Sequence, residues 1–382
     1  MKIAILGYGV VGSGAYEILN KNGYKVKKVL DIRPHDELGN VLTANYDDIL
    51  NDSEIGVVAE AIGGLEPAHT FVVKALKAGK HVVSSNKHLI CEYFDELHTL
   101  ANENGVTLRF TSSVGGGIPW LYNLKRTAKC DEITKIMGIM NGTTNFILDA
   151  MITDKRDFDE VLNEAQALGY AEANPSADID GLDVARKTAI SSSLSFDTIV
   201  EEKEVSTFSL RNITKSDIEY IKERFNKTVR YMGFGIKNDD GTISSFVEPV
   251  LLPSSALEAS VNKNFNMISL FGESVGRLSF YGQGAGKYPT GHALASDVAD
   301  IVDGCRESAV RTKKYTVDNE KCERKYYIRA NTLPASDLID SYECVDSSYY
   351  IITNKMKVSA MHSLAKSILE SDPRAFFAGV ED

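Results

Sequence analysis

The chain is predicted to be an α/β protein: a doubly wound parallel sheet in its first third, then an α+β domain. Three observations predict this. A glycine-rich loop follows directly on an apolar run at the amino terminus. Short apolar runs then alternate with helix-length segments up to about residue 110. Beyond residue 130 that alternation gives way to longer apolar runs mixed with helices. Regular alternation of strands and helices is the pattern of a parallel sheet covered on both faces.

Residues 2–6 (Lys-Ile-Ala-Ile-Leu) read as the first strand. Gly7, Gly9 and Gly12 follow in G-x-G-x-x-G spacing, and a helix runs from about Val10 to Asn22. A second apolar run, Val26 to Leu30, ends in Asp31, about 20 residues past the loop, which completes the Rossmann-type dinucleotide fingerprint in its strand–loop–helix–strand setting. Gly7 permits the tight turn, Gly9 lets a pyrophosphate approach the backbone, and Gly12 allows close helix–strand packing. The free amides at the helix start, around Val10 and Val11, then hold the pyrophosphate. Asp31 suits the ribose hydroxyls of NAD and repels a 2′-phosphate, whereas Arg33 suits that phosphate. The balance leans to NAD, with NADP tolerated.

The same pattern continues. Ile55 to Ala59 is a strand, Glu66 to Ala78 a helix, His81 to Ser84 a strand, Lys87 to Asn104 a helix, and Val106 to Phe110 a strand. Ligands of such sheets bind outside the carboxyl ends of the strands. The loops at Gly7, Ile62–Gly63, Ser85–Asn86 and Val114–Gly117 fall at those ends. Lys87 stands one loop from the expected nicotinamide; it reads either as a solvated lysine or as a functional cation at a helix start, where the macrodipole disfavours it.

A dinucleotide-binding domain is therefore expected over 1–130, completed by a helix at about 290–307. A catalytic, substrate-binding and dimerisation domain is expected over 131–289. In it, Ile133 to Met140, Phe246 to Leu251 and Ile268 to Tyr281 read as strands, and Phe146 to Ile152 as a helix. The loop Gly282-Gln283-Gly284-Ala285-Gly286 precedes a helix from about His292 to Arg306, and reads as a turn or as a close approach to a phosphate or ring.

Residues 169–190 concentrate the acids. Past Pro175 the pattern is helical, and Asp180, Asp183 and Lys187 share a face within an arc of about 60°. Leu182 and Ala189 point away from it. Glu172 and Asp178 lie just upstream. One reading is a surface helix with an ordinary Asp183–Lys187 ion pair. The other is an acid cluster that holds one lysine near a reacting oxygen, where burial and neighbouring carboxylates tune its proton affinity in opposite directions.

These segments resemble homoserine dehydrogenase. The resemblance is carried by the Gly7–Gly12 loop, Ser85-Asn86-Lys87, Val114-Gly115-Gly116-Gly117-Ile118-Pro119 and Asn141-Gly142-Thr143-Thr144-Asn145. Gly169-Tyr170-Ala171-Glu172, the run from Asp178 to Lys187 and Gly284-Ala285-Gly286 with Pro289-Thr290 add to it. The matches are in order over about residues 1–310, and 169–187 is the most diagnostic. The resemblance implies reversible hydride transfer between L-homoserine and L-aspartate 4-semialdehyde with NAD(P), in threonine, methionine and isoleucine biosynthesis. It implies that Lys187 is the general acid/base and that Lys87 assists near the nicotinamide. It also implies that Glu172, Asp178 and Asp183 hold the substrate's amino end, with Asp183 orienting Lys187, that Gly169 and Gly286 line the cofactor, and that the protein is a homodimer.

Two features depart from the family. It often places a Glu ligand of a monovalent cation where this chain has Thr111, so Na⁺ or K⁺ would depend on the carbonyls of Val114, Gly116 and Ile118. Residues 311–382 read as a reduced ACT-like tail: a strand at 325–330, a possible hairpin at 341–353, a helix at 357–369 and a strand at 374–379. Packing or subunit contact suits this tail better than effector sensing.

Composition agrees. A net charge of −11 without a basic run argues against nucleic acid, and no apolar run is long enough to span a membrane. Five scattered cysteines suit reduced thiols in the cytoplasm. A phosphorylating semialdehyde dehydrogenase would need an activated cysteine, which no context here supplies. An amino-acid dehydrogenase is the nearer rival. A non-catalytic NAD sensor would have no need of Lys87, Glu172, Asp183 and Lys187 together.

Overall fold

The computed structural model describes residues 1–305 and 315–381. Its elements run β1 (Lys2–Leu6), α1 (Val10–Lys21), β2 (Val26–Leu30), β3 (Leu42–Thr43), α2 (Asp47–Leu50), β4 (Ile55–Glu60), α3 (Ala68–Lys77) and β5 (His81–Ser84). Next come α4 (Lys87–Glu92), α5 (Phe94–Glu103), β6 (Leu108–Arg109), α6 (Trp120–Ala128), β7 (Ile133–Ile139), α7 (Gly142–Thr153), α8 (Phe158–Ala167), α9 (Ser176–Ile179) and α10 (Leu182–Ser195). The middle continues with β8 (Ser206–Thr207), α11 (Lys215–Phe225), β9 (Lys227–Lys237), β10 (Ile243–Pro253), β11 (Phe265–Gly272), β12 (Gly276–Gln283) and α12 (Lys287–Val302). Last are β13 (Glu323–Ala330), β14 (Ile339–Val345), β15 (Ser348–Thr353), β16 (Met356–Lys357), α13 (Val358–Ser371) and β17 (Phe376–Val380). Two compact units divide the chain: Met1–Cys130 with Ser193–Glu201 and Gly282–Lys313, and Asp131–Ser192 with Glu202–Tyr281 and Lys314–Asp382.

The first unit is the doubly wound sheet, all parallel, in the order β3-β2-β1-β4-β5-β6. Strand order reverses between β1 and β4, the switch point where such sheets bind ligands. Ile3, Ile5, Val29, Val57 and Ala59 pack with Leu294, Val298 and Ile301 of α12, so a helix from late in the chain completes this core. That helix starts at Lys287 rather than His292. Pro289 falls in its first turn, where a missing N–H costs nothing. The helix also ends at Val302, capped by Asp303, short of the expected 306–307. The single helix expected over 87–104 is two, α4 and α5, parted at Tyr93, whose ring stacks on His69 with centroids 3.9 Å apart.

The second unit is built on an eleven-stranded mixed sheet ordered β12-β11-β7-β9-β10-β17-β13-β15-β14, with β16 on β13 and β8 on β10. The strand expected over 268–281 is the hairpin β11–β12. Its turn is fixed by the Asp131 carboxylate, which accepts the amides of Ser274 and Val275. Among the longer elements, α6, α8, α11 and β9 were not expected from the sequence.

The tail expected over 311–382 is corrected in one respect. Its strand, hairpin, helix and last strand are present as β13, β14–β15, α13 and β17; residues 311–314 and 382 lie outside the described residues. They form no ACT-like module set apart from the catalytic sheet, because β17 pairs parallel to β10 and antiparallel to β13. A charged joint seals this seam: Arg324 on β13 donates to Glu248 on β10 (2.8 Å) and to Glu381 (2.7 Å), with Arg324 and Glu248 both buried. Removing one partner of a buried pair strands the other charge. Arg324→Ala is therefore expected to cost about 3–5 kcal/mol of unfolding free energy, read as a lower denaturant midpoint; a midpoint unchanged from wild type would show that the seam does not hold the tail.

Candidate active site

In the first unit, the glycine loop has the shape that a pyrophosphate requires. A Cβ on Gly12 would stand 1.9 Å from the Gly7 carbonyl oxygen, so only glycine lets α1 start this close to the loop. Nothing lies within 4 Å of a Cβ placed on Gly9, which leaves the loop open there. α1 begins at Val10 and Val11 with no side-chain cap and no acid in its first turn, so its leading amides remain donors for an anion.

Asp31 stands at the end of β2. Its carboxylate accepts the amides of Tyr8 (2.8 Å) and Arg33 (2.9 Å) and two bonds from the Arg33 guanidinium (3.1 and 2.9 Å). The guanidinium holds the Asp31 carboxyl well below the usual carboxylate range. The two residues read as competing for cofactor preference are thus bonded to each other, with the Arg33 side chain largely exposed.

Ile62 and Gly63 leave β4, and Ser85 leaves β5, bonding the Glu60 carbonyl through its amide (3.1 Å) and hydroxyl (3.3 Å). Lys87 begins α4, which Asn86 caps by accepting the Leu89 amide. Gly116 has φ +56°, and its Cβ would overlap the Gly284 carbonyl at 2.5 Å, so the Val114–Ile118 loop packs on the loop that leads to Gly286. The Ile118 carbonyl accepts the Trp120 amide (2.7 Å). Thr111 donates its hydroxyl to Asp297 of α12 (2.7 Å). Among the described residues no cluster of three His, Cys, Asp or Glu could hold a metal ion.

In the second unit, α10 is buried nearly all round, the face of Asp183 and Lys187 included. Asp183 is 5% exposed and Lys187 8%, and on the opposite side Ala189 is fully buried while Leu182 is 41% exposed. Asp180 is not on this helix at all: Gly181 at φ +88° parts α9 from α10, and Asp180 turns to Arg211 and Ser209. Two glycines of β9 admit α10 so deeply. A Cβ on Gly233 would strike Thr188 Oγ1 at 2.1 Å, and one on Gly235 would strike Ser192 Oγ at 2.4 Å.

Lys187 Nζ donates to Asp183 (2.7 Å) and to the Met140 carbonyl (2.7 Å) at the end of β7. Asn141 is the hub that sequence reasoning missed. Its amide nitrogen donates to Asp183 (2.8 Å) and Asp178 (2.7 Å), and its oxygen accepts the Thr144 amide, capping α7. The Asn-Gly-Thr-Thr spelling was the available signal, since asparagine is a favoured cap. Lys187, Asp183 and Asp178 are therefore brought together. Glu172 is not: its side chain is exposed and makes no hydrogen bond or ion pair among the described residues. Gly169, at φ +75°, is the exposed residue that ends α8.

The family model described as homoserine dehydrogenase matches residues 119–299, and the homoserine dehydrogenase NAD binding domain matches residues 7–111. The chain belongs to the homoserine dehydrogenase family. It is 40% identical over 321 residues to homoserine dehydrogenase of Bacillus subtilis, covering 80% of this chain and 74% of that one. It is 37% identical over 361 residues to that of Synechocystis sp., covering 90% and 82%. The crystal structure of a homoserine dehydrogenase from Thiobacillus denitrificans superposes with a TM-score of 0.90 at 30% identity, covering 100% of this chain and 98% of that one. Apart from Val114–Ile118, which lies between the two matched segments, the motifs that carried the resemblance fall within them, and this homoserine dehydrogenase-family chain is an NAD(P)-dependent oxidoreductase.

Asn141→Ala would loosen both acids around Lys187 and uncap α7. The expected result is a loss of about 1 kcal/mol of stability with turnover reduced by up to about 100-fold, while NADH affinity holds; undiminished turnover would remove Asn141 from the site.

Proposed function

We propose that this chain interconverts L-homoserine and L-aspartate 4-semialdehyde, with Lys187 moving the proton at the substrate oxygen. The observation that carries the reading is the buried Lys187 ammonium. Of its three N–H donors, two are bound by Asp183 and the Met140 carbonyl, leaving one for a substrate oxygen. When bound, NAD(P) supplies the hydride acceptor or donor. In the oxidative direction the neutral Lys187 amine takes the hydroxyl proton as the carbonyl forms. In the reductive direction the ammonium returns it to the nascent alkoxide. A positioned acid/base of this kind contributes roughly 10²–10⁴-fold.

In this reading Asp183 orients Lys187, and Glu172 and Asp178 supply anionic groups for the substrate ammonium. Lys87 assists near the nicotinamide. Gly7, Gly9, Val10, Val11 and Gly12 take the pyrophosphate, and Ile62, Gly63, Ser85, Gly169 and Gly286 line the cofactor. NAD is the preferred cofactor, because Asp31 is held as a carboxylate where a 2′-phosphate would meet it. A monovalent cation on the carbonyls of Val114, Gly116 and Ile118 has the least support, since the Thr111 hydroxyl is committed to Asp297. A homodimer is part of the reading and rests on the family resemblance. A cytoplasmic location rests on the scattered cysteines, none of them in a disulfide, and no helix among the described residues is long and apolar enough to cross a membrane.

Absorbance of the reduced nicotinamide with L-homoserine, NAD and NADP in parallel, tests the function; no turnover with either cofactor would overturn it. Lys187→Ala is expected to lower kcat by roughly 10²–10⁴-fold with NADH affinity retained, and a fully active variant would remove Lys187 from its role. Asp31→Gly frees Arg33 for a 2′-phosphate and is expected to shift the kcat/KM ratio towards NADP; an unchanged ratio would assign preference to another group.

A further inference from the structure

Glu60, the last residue of β4, carries a carboxylate that the proposed chemistry does not use. Its side chain is fully buried, and no cation stands within ion-pair distance among the described residues. A buried carboxylate is expensive unless hydrogen bonds compensate it. Burial pushes the Glu60 carboxyl up, and its hydrogen-bond donors pull it back. One carboxylate oxygen accepts the amides of Ile62 (2.8 Å) and Gly63 (3.3 Å), and the other accepts the Ser84 hydroxyl (2.5 Å).

The network then passes to the next loop. Ser84 Oγ accepts the Asn86 amide (3.1 Å), and the Asn86 side chain donates to the Gly64 carbonyl (2.6 Å) while capping the helix that Lys87 begins. Gly63 and Gly64, at φ +82° and +70°, are two successive left-handed residues beside this carboxylate. β4 and β5 already pair here, Glu60 opposite Ser84, so the strands do not need the charge to stay together. What Glu60 adds is the shape of two loops at the carboxyl ends of adjacent strands.

Strand order says which end of a dinucleotide those loops meet. Asp31 stands at the end of β2 and the glycine loop at the end of β1, so the adenosine ribose and pyrophosphate lie on that side. The nicotinamide end then falls over β4 and β5. With the Ile62 and Gly63 amides taken by Glu60, the loop is left to offer carbonyl oxygens, the acceptors that a carboxamide N–H₂ and ribose hydroxyls require.

We propose that Glu60 is a positioning residue for the nicotinamide-ribose end of the cofactor, shaping the Ile62–Gly64 loop and the turn into Lys87 without touching the cofactor itself. This rests on the NAD(P) reading above.

Dissociation constants of NADH and of ADP-ribose, which lacks the nicotinamide, measured by calorimetry for wild type, Glu60→Ala, Glu60→Gln and Ser84→Ala, test it. Loss of three hydrogen bonds in Glu60→Ala is expected to weaken NADH about tenfold or more while ADP-ribose stays within about twofold. Glu60→Gln keeps an acceptor for both amides and should recover most of the loss. If Glu60→Ala does not fold, Ser84→Ala, which removes one donor to Glu60 and the acceptor of the Asn86 amide, is expected to show the same selectivity at smaller size. Equal weakening of both ligands, or no change in either, would overturn the proposal. Wild-type protein that binds neither ligand would overturn the cofactor reading and this proposal with it.

Discussion

The arrangement of the second unit depends on holding one ammonium out of water. An unpaired buried charge would cost several kcal/mol, so Lys187 is tolerable only with its partners in place. Asp183 neutralises it from one turn away, and the Met140 carbonyl takes a second N–H. Neither contact would form unless α10 lay close to the sheet, which the missing side chains of Gly233 and Gly235 allow. Asn141 serves both sides of the arrangement, steering the two acids with its amide nitrogen and starting α7 with its oxygen. Helix packing, turn chemistry and charge compensation therefore meet at a single side chain.

The first unit uses carboxylates differently. Asp31 is wrapped by the Tyr8 and Arg33 amides and by a guanidinium that can swing away, which suits a group whose partner changes when cofactor arrives. Glu60 has no mobile partner. Its donors are backbone amides and a buried hydroxyl, so it serves to fix the shape of its loops. Both acids close strands that flank β1, and the glycine loop emerges between them.

Much of this was legible where the signal is local. The strand–loop–helix–strand start and Asp31 are patterns of a few residues, and each lies where periodicity puts it, whereas α7 starts at Gly142 rather than at the expected Phe146. The failures are tertiary. Helical spacing grouped Asp180 with Asp183, but Gly181 breaks the helix between them, and Arg211, 31 residues away, claims Asp180. Spacing left open whether the Asp183–Lys187 pair lay on the surface, and the structure buries it together with most of the rest of α10. Asn141 and Asp183 are 42 residues apart, and no spacing rule joins them. β9 was missed because its glycines weaken a strand pattern, although they are there to admit a helix. Glu60 stands one residue past the run read as a strand, and only its bonds from Ile62, Gly63 and Ser84 reveal it as a buried, hydrogen-bonded carboxyl.

In the proposed reaction an amine at position 187 moves the proton. The most direct measurement is chemical rescue: homoserine oxidation by Lys187→Ala in rising concentrations of small primary amines such as methylamine. The account predicts turnover that increases with the concentration of free amine, at unchanged affinity for NADH. A variant that binds NADH normally yet gains nothing from any amine would contradict it, and would make Lys187 a structural cation rather than the group that exchanges the proton.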